Sequence, residues 1–439
     1  MRTDESATAS AVEEKKDARS QWYVLLLLIC GYAVYSLDKQ IISVLIEPIK
    51  AEFGISDTTV SLLAGLATTI PFALACIPIG MLGDRVNRRN LLVALISAWS
   101  LMTGVAGLAT TVYLLFLSRI GVGAFEAGFS PLSLSIISDT FPRKLRATAM
   151  GLYSLGPPIG AFLALALGGY IAAHFGWRAA FFIAVLPGLL VALLLLLTIR
   201  EPQRGRYDPP SPYQDSIPLS AVLGHIWRDR ALFNMLLAMV LCTVLPAVIT
   251  VWTPSFLMRV HGMSIQQAGL ASSLALGLCG SAGAAGAGFL ADYLGRREEW
   301  RKLFCPILGL TLSIVFAALT FLTEPGTATV VVLISLLACF AQFYIGTGYS
   351  VITTLCPPAM RGTTLSILLV AFNFGSYGLG VLLLGILNDH LASWAGTRAI
   401  AYGMFASSLF SLIGLAFVVR AMLLIRNGQD RLSFEHTTA

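Results

Sequence analysis

The chain has 439 residues, of which 56% are hydrophobic and only 12% charged. Soluble domains are about a quarter charged, so there is too little polar material to cover a water-facing surface, and the solvent must be lipid. A formal net charge of +6 raises nucleic acid as a partner, but the basic residues lie in short clusters between apolar runs rather than in one stripe, which argues against it.

Residues 1–21 read as a polar cytoplasmic tail of mixed charge. The apolar run that follows is too long for a signal peptide and lacks a small-residue cleavage site. Leu28-Ile29-Cys30 likewise lacks the small residue that precedes the cysteine of a lipoprotein, so the N-terminus is expected to be retained. A span needs about 20 apolar residues, and lipid does not tolerate exposed coil, so such runs are helices. Run length and charged or Pro/Gly breaks place spans at about 22–46, 57–82, 90–110, 112–138, 147–172 and 178–198, which makes 22–198 one six-helix bundle. A Pro- and Arg-rich cytoplasmic linker, 199–230, follows. A second bundle, 231–425, has spans at about 232–258, 264–290, 302–322, 328–355, 363–388 and 398–424, and 426–439 is a cytoplasmic tail. The expected fold is an all-α polytopic membrane protein of twelve transmembrane helices in two pseudo-symmetric bundles.

Orientation follows from Lys and Arg in short loops, because these residues resist translocation. Alternate loops hold Arg85, Arg88 and Arg89, then Arg143, Lys144 and Arg146, then Arg200, Arg204 and Arg206, then Arg296, Arg297, Arg301 and Lys302, then Arg361. The opposite loops hold little beyond Lys50, Arg178, Arg259 and Arg398. Both termini are therefore expected in the cytoplasm, in the inner (plasma) membrane of a cell. The seven cysteines show no C-x-x-C spacing and sit mostly inside apolar runs, as packing residues rather than metal ligands or a disulfide frame.

The halves repeat. Gly80-Met-Leu-Gly-Asp84-Arg85-Val-Asn87-Arg88-Arg89 follows the second span, and Gly288-Phe-Leu-Ala-Asp292-Tyr-Leu-Gly295-Arg296-Arg297 follows the eighth. The next cytoplasmic loops match as well, as Pro142-Arg-Lys-Leu-Arg146 and Pro357-Pro-Ala-Met-Arg361. This duplicated cassette resembles the major facilitator superfamily, which implies a midplane site between halves and alternating access by rocking. Within it, Leu37-Asp38-Lys39-Gln40, Ile55-Ser56-Asp57, Ser118-Arg119 through Glu126-Ala-Gly128, Phe141-Pro142 through Ala149, Gly176-Trp177-Arg178 and Arg200-Glu201-Pro202 resemble the Spinster-like branch. Lys39 stands where that branch usually has Arg, and Phe125 where it usually has Gly. The resemblance implies a proton-linked carrier, with lysophospholipids and sphingosine phosphate among the branch's cargoes.

A charge at membrane depth costs from about 3 to above 10 kcal/mol, so the four clear cases, Asp38, Lys39, Arg119 and Glu126, need an explanation. Counting from the outer helix ends puts Asp38 and Arg119 level, about 11 Å below the outer surface. Glu126 is seven residues further along, on the same face and about 10 Å deeper, with Gly123, Ser130 and Ser133. Desolvation and a nearby Arg act on a carboxylate in opposite senses, so this stripe reads as a proton and anion relay of Asp38, Arg119 and Glu126. The alternative is a buried pair that only fixes helix packing. Lys39 points about 100° from Asp38 and either joins the site or snorkels outward.

In the loops, Asp84 and Asp292 are expected to accept N–H groups from a helix N-terminus while adjacent arginines pair with an acid such as Asp139. The resemblance makes Asp84, Arg85, Arg88, Arg89, Asp139, Asp292, Arg296 and Arg297 a cytoplasmic latch; Arg88, Arg89, Arg296 and Arg297 are also ordinary positive-inside charges. The second half has no clear charge at depth, only hydroxyl, amide and aromatic groups. Substrate contacts are expected from Arg119, Lys39, Ser130 and Tyr153 in the first half and Thr250, Trp252, Gln342, Tyr344, Asn373 and Tyr377 in the second, although such groups commonly just bridge helices. A substrate with a charged end and an apolar or uncharged body fits this asymmetry.

Enzyme chemistry has little support. The five histidines fall in loops, helix ends or the tail, and H-E-x-x-H, G-x-S-x-G and a phosphate loop are absent. Gly286-Ala-Gly288-Phe-Leu-Ala291 fits a dinucleotide fingerprint but ends a small-residue helix with no strand before it, which close helix packing explains better. The expected function is secondary active transport, proton-coupled, of a small organic or amphipathic anion such as a lysophospholipid. The alternatives are a uniporter or antiporter for a sugar acid or aromatic acid, and, outside that class, a channel or substrate sensor. No cofactor and no metal is expected; the partners are substrate, protons and membrane lipid, with one copy of the chain sufficient.

Overall fold

The structure is a computed structural model and describes residues 2–207, 218–296, 298–324 and 326–437. Among these residues it is built of helices, with no strand. The membrane helices are α1 (Arg2–Phe53, apolar from Gln21), α2 (Asp57–Arg85), α3 (Arg88–Gly107), α4 (Val112–Thr140), α5 (Arg143–Phe175) and α6 (Trp177–Thr198). The second set is α7 (Arg230–His261), α8 (Ile265–Leu294), α9 (Glu299–Phe321) and α10 (Thr327–Leu355). The long run after Arg361 is divided at Gly396, whose φ of +56° a side chain would resist. The result is α11, ending at Ala395, and α12 (Ala399–Thr437), which completes twelve helices in two pseudo-symmetric bundles with cytoplasmic termini.

Several spans are less uniform than their apolar runs suggest. The α4 ladder stops at Glu126 and restarts at Phe129. A Cβ on the intervening Gly128 would lie 2.3 Å from Ile79, so the break lets α2 approach. Similar breaks follow Tyr153 in α5, Cys242 in α7 and Phe340 in α10. π-helical turns occupy Leu62–Leu66 in α2, Ser273–Cys279 in α8 and Phe374–Gly380 in α11. The 199–230 segment, expected as a plain linker, contains a helix, Leu219–Arg228, whose Val222 and Ile226 are buried. The two terminal tails are likewise continuations of α1 and α12.

The duplication is visible in backbone detail. At the outer ends, Gly54 and Gly262 both have a φ of +62°, and two residues later Ser56 and Ser264 each cap the next helix, accepting the N–H of Thr59 and Gln267 at 3.2 Å. At the cytoplasmic ends, Arg146 Nε donates to the carbonyl of Phe141 at 3.2 Å and Arg361 Nε to that of Cys356 at 3.1 Å, the same five-residue reach back in both repeats.

Packing divides the chain into two units. One comprises Met1–Lys39, Pro71–Ala161 and Arg178–Gln214; the other comprises Gln40–Ile70, Phe162–Trp177 and Asp215–Ala439. The first is organised around Trp99, Phe129 and Phe141, with Trp99 edge-on to Phe129 at 5.4 Å. The second centres on Trp252, Phe256 and Phe321, the last two edge-on at 5.1 Å. The outer ends of α1, α2 and α5 thus belong with α7 to α12 rather than with the rest of their own bundle.

Candidate substrate and proton site

Four ionisable side chains meet inside the first unit. Asp38 of α1 is 0% exposed, and Arg119 and Glu126 of α4 are 1% and 3% exposed. Arg119 Nη1 donates to the backbone carbonyl of Asp38 at 3.4 Å, which brings the two residues level as their helix positions require. The guanidinium carbon lies 5.3 Å from the ring centre of Phe181 on α6, a cation–π contact in a buried site. Its Nε and Nη2 have no hydrogen-bond acceptor. Arg119 interacts electrostatically with both Asp38 and Glu126, and half-buried Lys39 interacts with Glu126. Lys39 therefore faces the cluster. Two acids and two bases make it formally neutral.

Asp38 is surrounded by donors from α3 that the sequence did not reveal. Trp99 and Thr103 direct Nε1 and Oγ1 toward its carboxylate. Neither carboxylate oxygen makes a close hydrogen bond, and Trp99 Nε1 and Thr103 Oγ1 are likewise without one. Trp99 and Thr103 are four residues apart on α3, so they lie on one helix face; that spacing was the available signal.

One layer deeper, Tyr32 of α1 stacks on Tyr153 of α5, with ring centres 4.5 Å apart and planes at 16°. Ser130 of α4 faces both hydroxyls, and Ser133 faces that of Tyr153. Expected contacts Ser130 and Tyr153 are thus brought together, with Tyr32 as an unforeseen third.

The second-unit candidates are not all equivalent. Tyr377 of α11 meets Thr250 of α7 and Gln40 of α1 through its hydroxyl, and Tyr344 of α10 lies in the same neighbourhood. Gln342 is half-buried at the α10 break. Asn373 instead donates to Leu369 of its own helix at 3.0 Å. Trp252 is buried in core, beneath the guanidinium of Arg259 at 5.6 Å.

In the first unit the expected pairing of Arg88 with Asp139 is present, joined by partners the sequence did not mark. Buried Arg88 donates to Glu201 at 2.7 Å, Asp139 at 2.5 Å, Ser135 at 2.7 Å and the carbonyl of Pro202 at 3.0 Å. The Arg89 amide donates to the other oxygen of Glu201 at 2.8 Å. Arg204 grips the α2 terminus through the carbonyls of Gly83, Asp84 and Val86. Contrary to expectation, the Asp84 side chain is exposed, as is Arg85, and Asp84 contributes its backbone carbonyl instead. Asp292 is exposed too, and Arg296 stacks on Tyr293 at 5.5 Å. Arg297 lies outside the described residues. At the place of Asp139 the second repeat has Thr354, which carries no charge to pair with Arg296.

Glu201→Gln is therefore expected to weaken the cytoplasmic latch by about 1 to 3 kcal/mol, read as a shift in cytoplasmic cysteine accessibility. Asp84→Ala, at an exposed side chain, is expected to stay within about 0.5 kcal/mol. A larger effect from Asp84 than from Glu201 would contradict the geometry.

A family model for the Major Facilitator Superfamily matches residues 28–376. The chain belongs to the Major Facilitator Superfamily. Among solved structures it is similar to a bacterial homologue of the human lysosomal transporter Spinster, solved inward-facing. The unoccupied form has a TM-score of 0.82 at 28% identity, covering 93% of this chain and 98% of that one. The occupied form has a TM-score of 0.79 at 30% identity, covering 91% and 96%. Among curated proteins it is similar to an MFS-type efflux pump of Mycolicibacterium smegmatis, 27% identical over 90% of this chain and 92% of that one. It also matches a probable galactarate/D-glucarate transporter of Bacillus subtilis, 22% identical over 96% and 97%. The chain is thus a Spinster-like, multi-pass transporter of this superfamily, whose family and fold are those of transporters rather than enzymes.

Proposed function

We propose that this transporter is a proton-coupled carrier of an organic anion, working by alternating access in the inner membrane of a cell. The observation that carries this reading is the neutral group of Asp38, Lys39, Arg119 and Glu126. A buried cluster that is already neutral cannot take up an anion without leaving net charge at depth, which is costly. Protonating Asp38 or Glu126 removes one negative charge and frees Arg119, whose Nε and Nη2 are without acceptors, to bind a carboxylate or phosphate in its planar fork. Substrate charge and proton are thereby linked through one arginine. The Tyr32, Tyr153 and Ser130 layer offers a polar and aromatic surface to the same ligand.

An amphipathic anion of lysophospholipid type is the first reading, which follows from the resemblance of the Asp38, Arg119 and Glu126 stretches to the Spinster-like branch. A sugar acid is the second, favoured by the full-length match to a probable galactarate/D-glucarate transporter. The chain acts alone and without a cofactor. Counterflow in proteoliposomes loaded with lysolipids, sugar acids, aromatic acids or peptides tests the proposal. One anionic class should drive uptake of its labelled counterpart, and an imposed proton gradient should concentrate it. A channel gives no counterflow and a sensor gives no flux; either result overturns the reading.

A further inference from the structure

The cytoplasmic end of α8 and the start of α9 border a cleft of about 490 Å³, lined by Leu290 and Leu294 of the one and Phe304, Ile307, Leu308 and Thr311 of the other. Clefts that hold small ligands measure about 300 to 1,000 Å³, so this one is large enough for a guest. Its lining side chains are hydrocarbon except for the Thr311 hydroxyl, which donates to the carbonyl of Ile307 at 2.8 Å and is satisfied within its own helix. From Phe304 to Thr311 the cleft runs about 10 Å along α9. Phe304, Leu308, Thr311, Val315 and Leu319 are exposed and fall on one stripe at spacings of three and four residues. No side chain on this stripe seeks water, so it faces acyl chains, and the cleft opens among them.

The cytoplasmic mouth of the cleft is basic. Arg296 lies two residues beyond Leu294, and Lys302 two residues before Phe304. Arg296 is exposed, and among the described residues it forms no ion pair, only the stacking contact with Tyr293. The stem of Lys302 crosses the end of α8 so closely that a Cβ on Gly295 would lie 2.4 Å from its Cε, which keeps the ammonium beside the mouth. Its pair with Glu299 is long, at 3.4 Å, and Glu299 is itself exposed, so this pair yields at little cost. Arg301 is matched by Glu298 at 2.7 Å. Residues 292–302 carry four bases, Arg296, Arg297, Arg301 and Lys302, against three acids, Asp292, Glu298 and Glu299, which leaves one positive charge in excess. The ring of Trp300, with Arg301 and Arg426 at 5.5 and 5.3 Å, sits as an interface aromatic does at headgroup level.

The first repeat shows what is missing here. Arg88, the counterpart of Arg296, is answered within the chain by Asp139 at 2.5 Å and Glu201 at 2.7 Å. We propose that the second repeat takes its anion from the membrane: a phospholipid of the cytoplasmic leaflet with an anionic headgroup, one acyl chain in the α8–α9 cleft and the phosphate between Arg296 and Lys302. Basic residues beside this leaflet attract such lipids, and a cleft continuous with the hydrocarbon gives the chain a fixed seat. The site lies wholly within the second unit and is independent of what is transported.

Native mass spectrometry of the purified full-length protein, titrated with phosphatidylglycerol or with phosphatidylcholine of the same acyl chains, measures this binding. Phosphatidylglycerol is expected to fill its first site about tenfold or more tightly. Arg296→Gln and Lys302→Gln should each cut that advantage about fivefold, and either one alone suffices should the other not fold. Lys144→Gln, which removes an exposed cytoplasmic charge from the first unit, should leave it unchanged. Leu308→Trp fills the cleft and should weaken both lipids while keeping the preference for the anion. Soluble glycerol phosphate should not displace the lipid. Equal binding of the two lipids, an equal loss in Lys144→Gln, undiminished binding in Leu308→Trp, or displacement by glycerol phosphate each overturns the proposal.

Discussion

Arg119→Ala is expected to abolish both transport and substrate binding and to lower the melting temperature of the purified protein. Removing the guanidinium leaves Asp38 and Glu126 buried with only Lys39 as counter-charge, and breaking a buried pair costs about 3 to 5 kcal/mol. Arg119→Lys keeps the charge but loses the planar fork and much of the contact with Phe181. It should recover stability while ligand binding stays weak. Thermal denaturation with and without the anion identified by counterflow separates the two effects. Wild-type ligand stabilisation in Arg119→Lys would mean that the arginine serves packing alone.

Glu126→Gln should separate movement from coupling. Glutamine keeps the shape of the side chain and much of its hydrogen bonding but cannot exchange a proton, so accumulation driven by a proton gradient should fail. Exchange of substrate for substrate should persist, because it needs no net proton movement. Asp38→Asn should resemble it if the two carboxylates share Arg119 alternately, since both act on that guanidinium. Flux in proteoliposomes across a pH series is the measurement. If Glu126→Gln still concentrates substrate with the wild-type pH dependence, the proton travels elsewhere.

Whether a residue's role is legible in the amino-acid sequence depends on the kind of signal it leaves there. Asp38, Arg119 and Glu126 stand out because a charge inside a long apolar run has few explanations. Their mutual placement follows from helical rise alone, and the contact between Arg119 and the Asp38 carbonyl agrees with it. Glu201 and Arg204 are invisible as partners of Arg88 and the α2 terminus, because more than a hundred residues intervene and nothing local marks the pairing. Asp84 misleads in a different way: its motif is real, but the atom used is a carbonyl, which any residue could supply. Asp57, Glu47 and Arg259 look like residual loop charges, since an ion cluster at helix ends has the same one-dimensional pattern as a solvated loop. The breaks at Gly128 and after Tyr153 lie within single membrane spans, so a window long enough to find a span averages over them.

The short helix Leu219–Arg228 changes the mechanics of the joint between the two halves of the chain. Ten residues left extended could reach about 33 to 36 Å, but wound into a helix they span about 15 Å. Val222 and Ile226 pin the helix to the second unit, while Leu219, Leu223 and Trp227 stay exposed on it, as suits a helix resting at the headgroup boundary. The helical part of the connection is therefore less than half as long as the same residues extended, and it is anchored to the second unit through Val222 and Ile226.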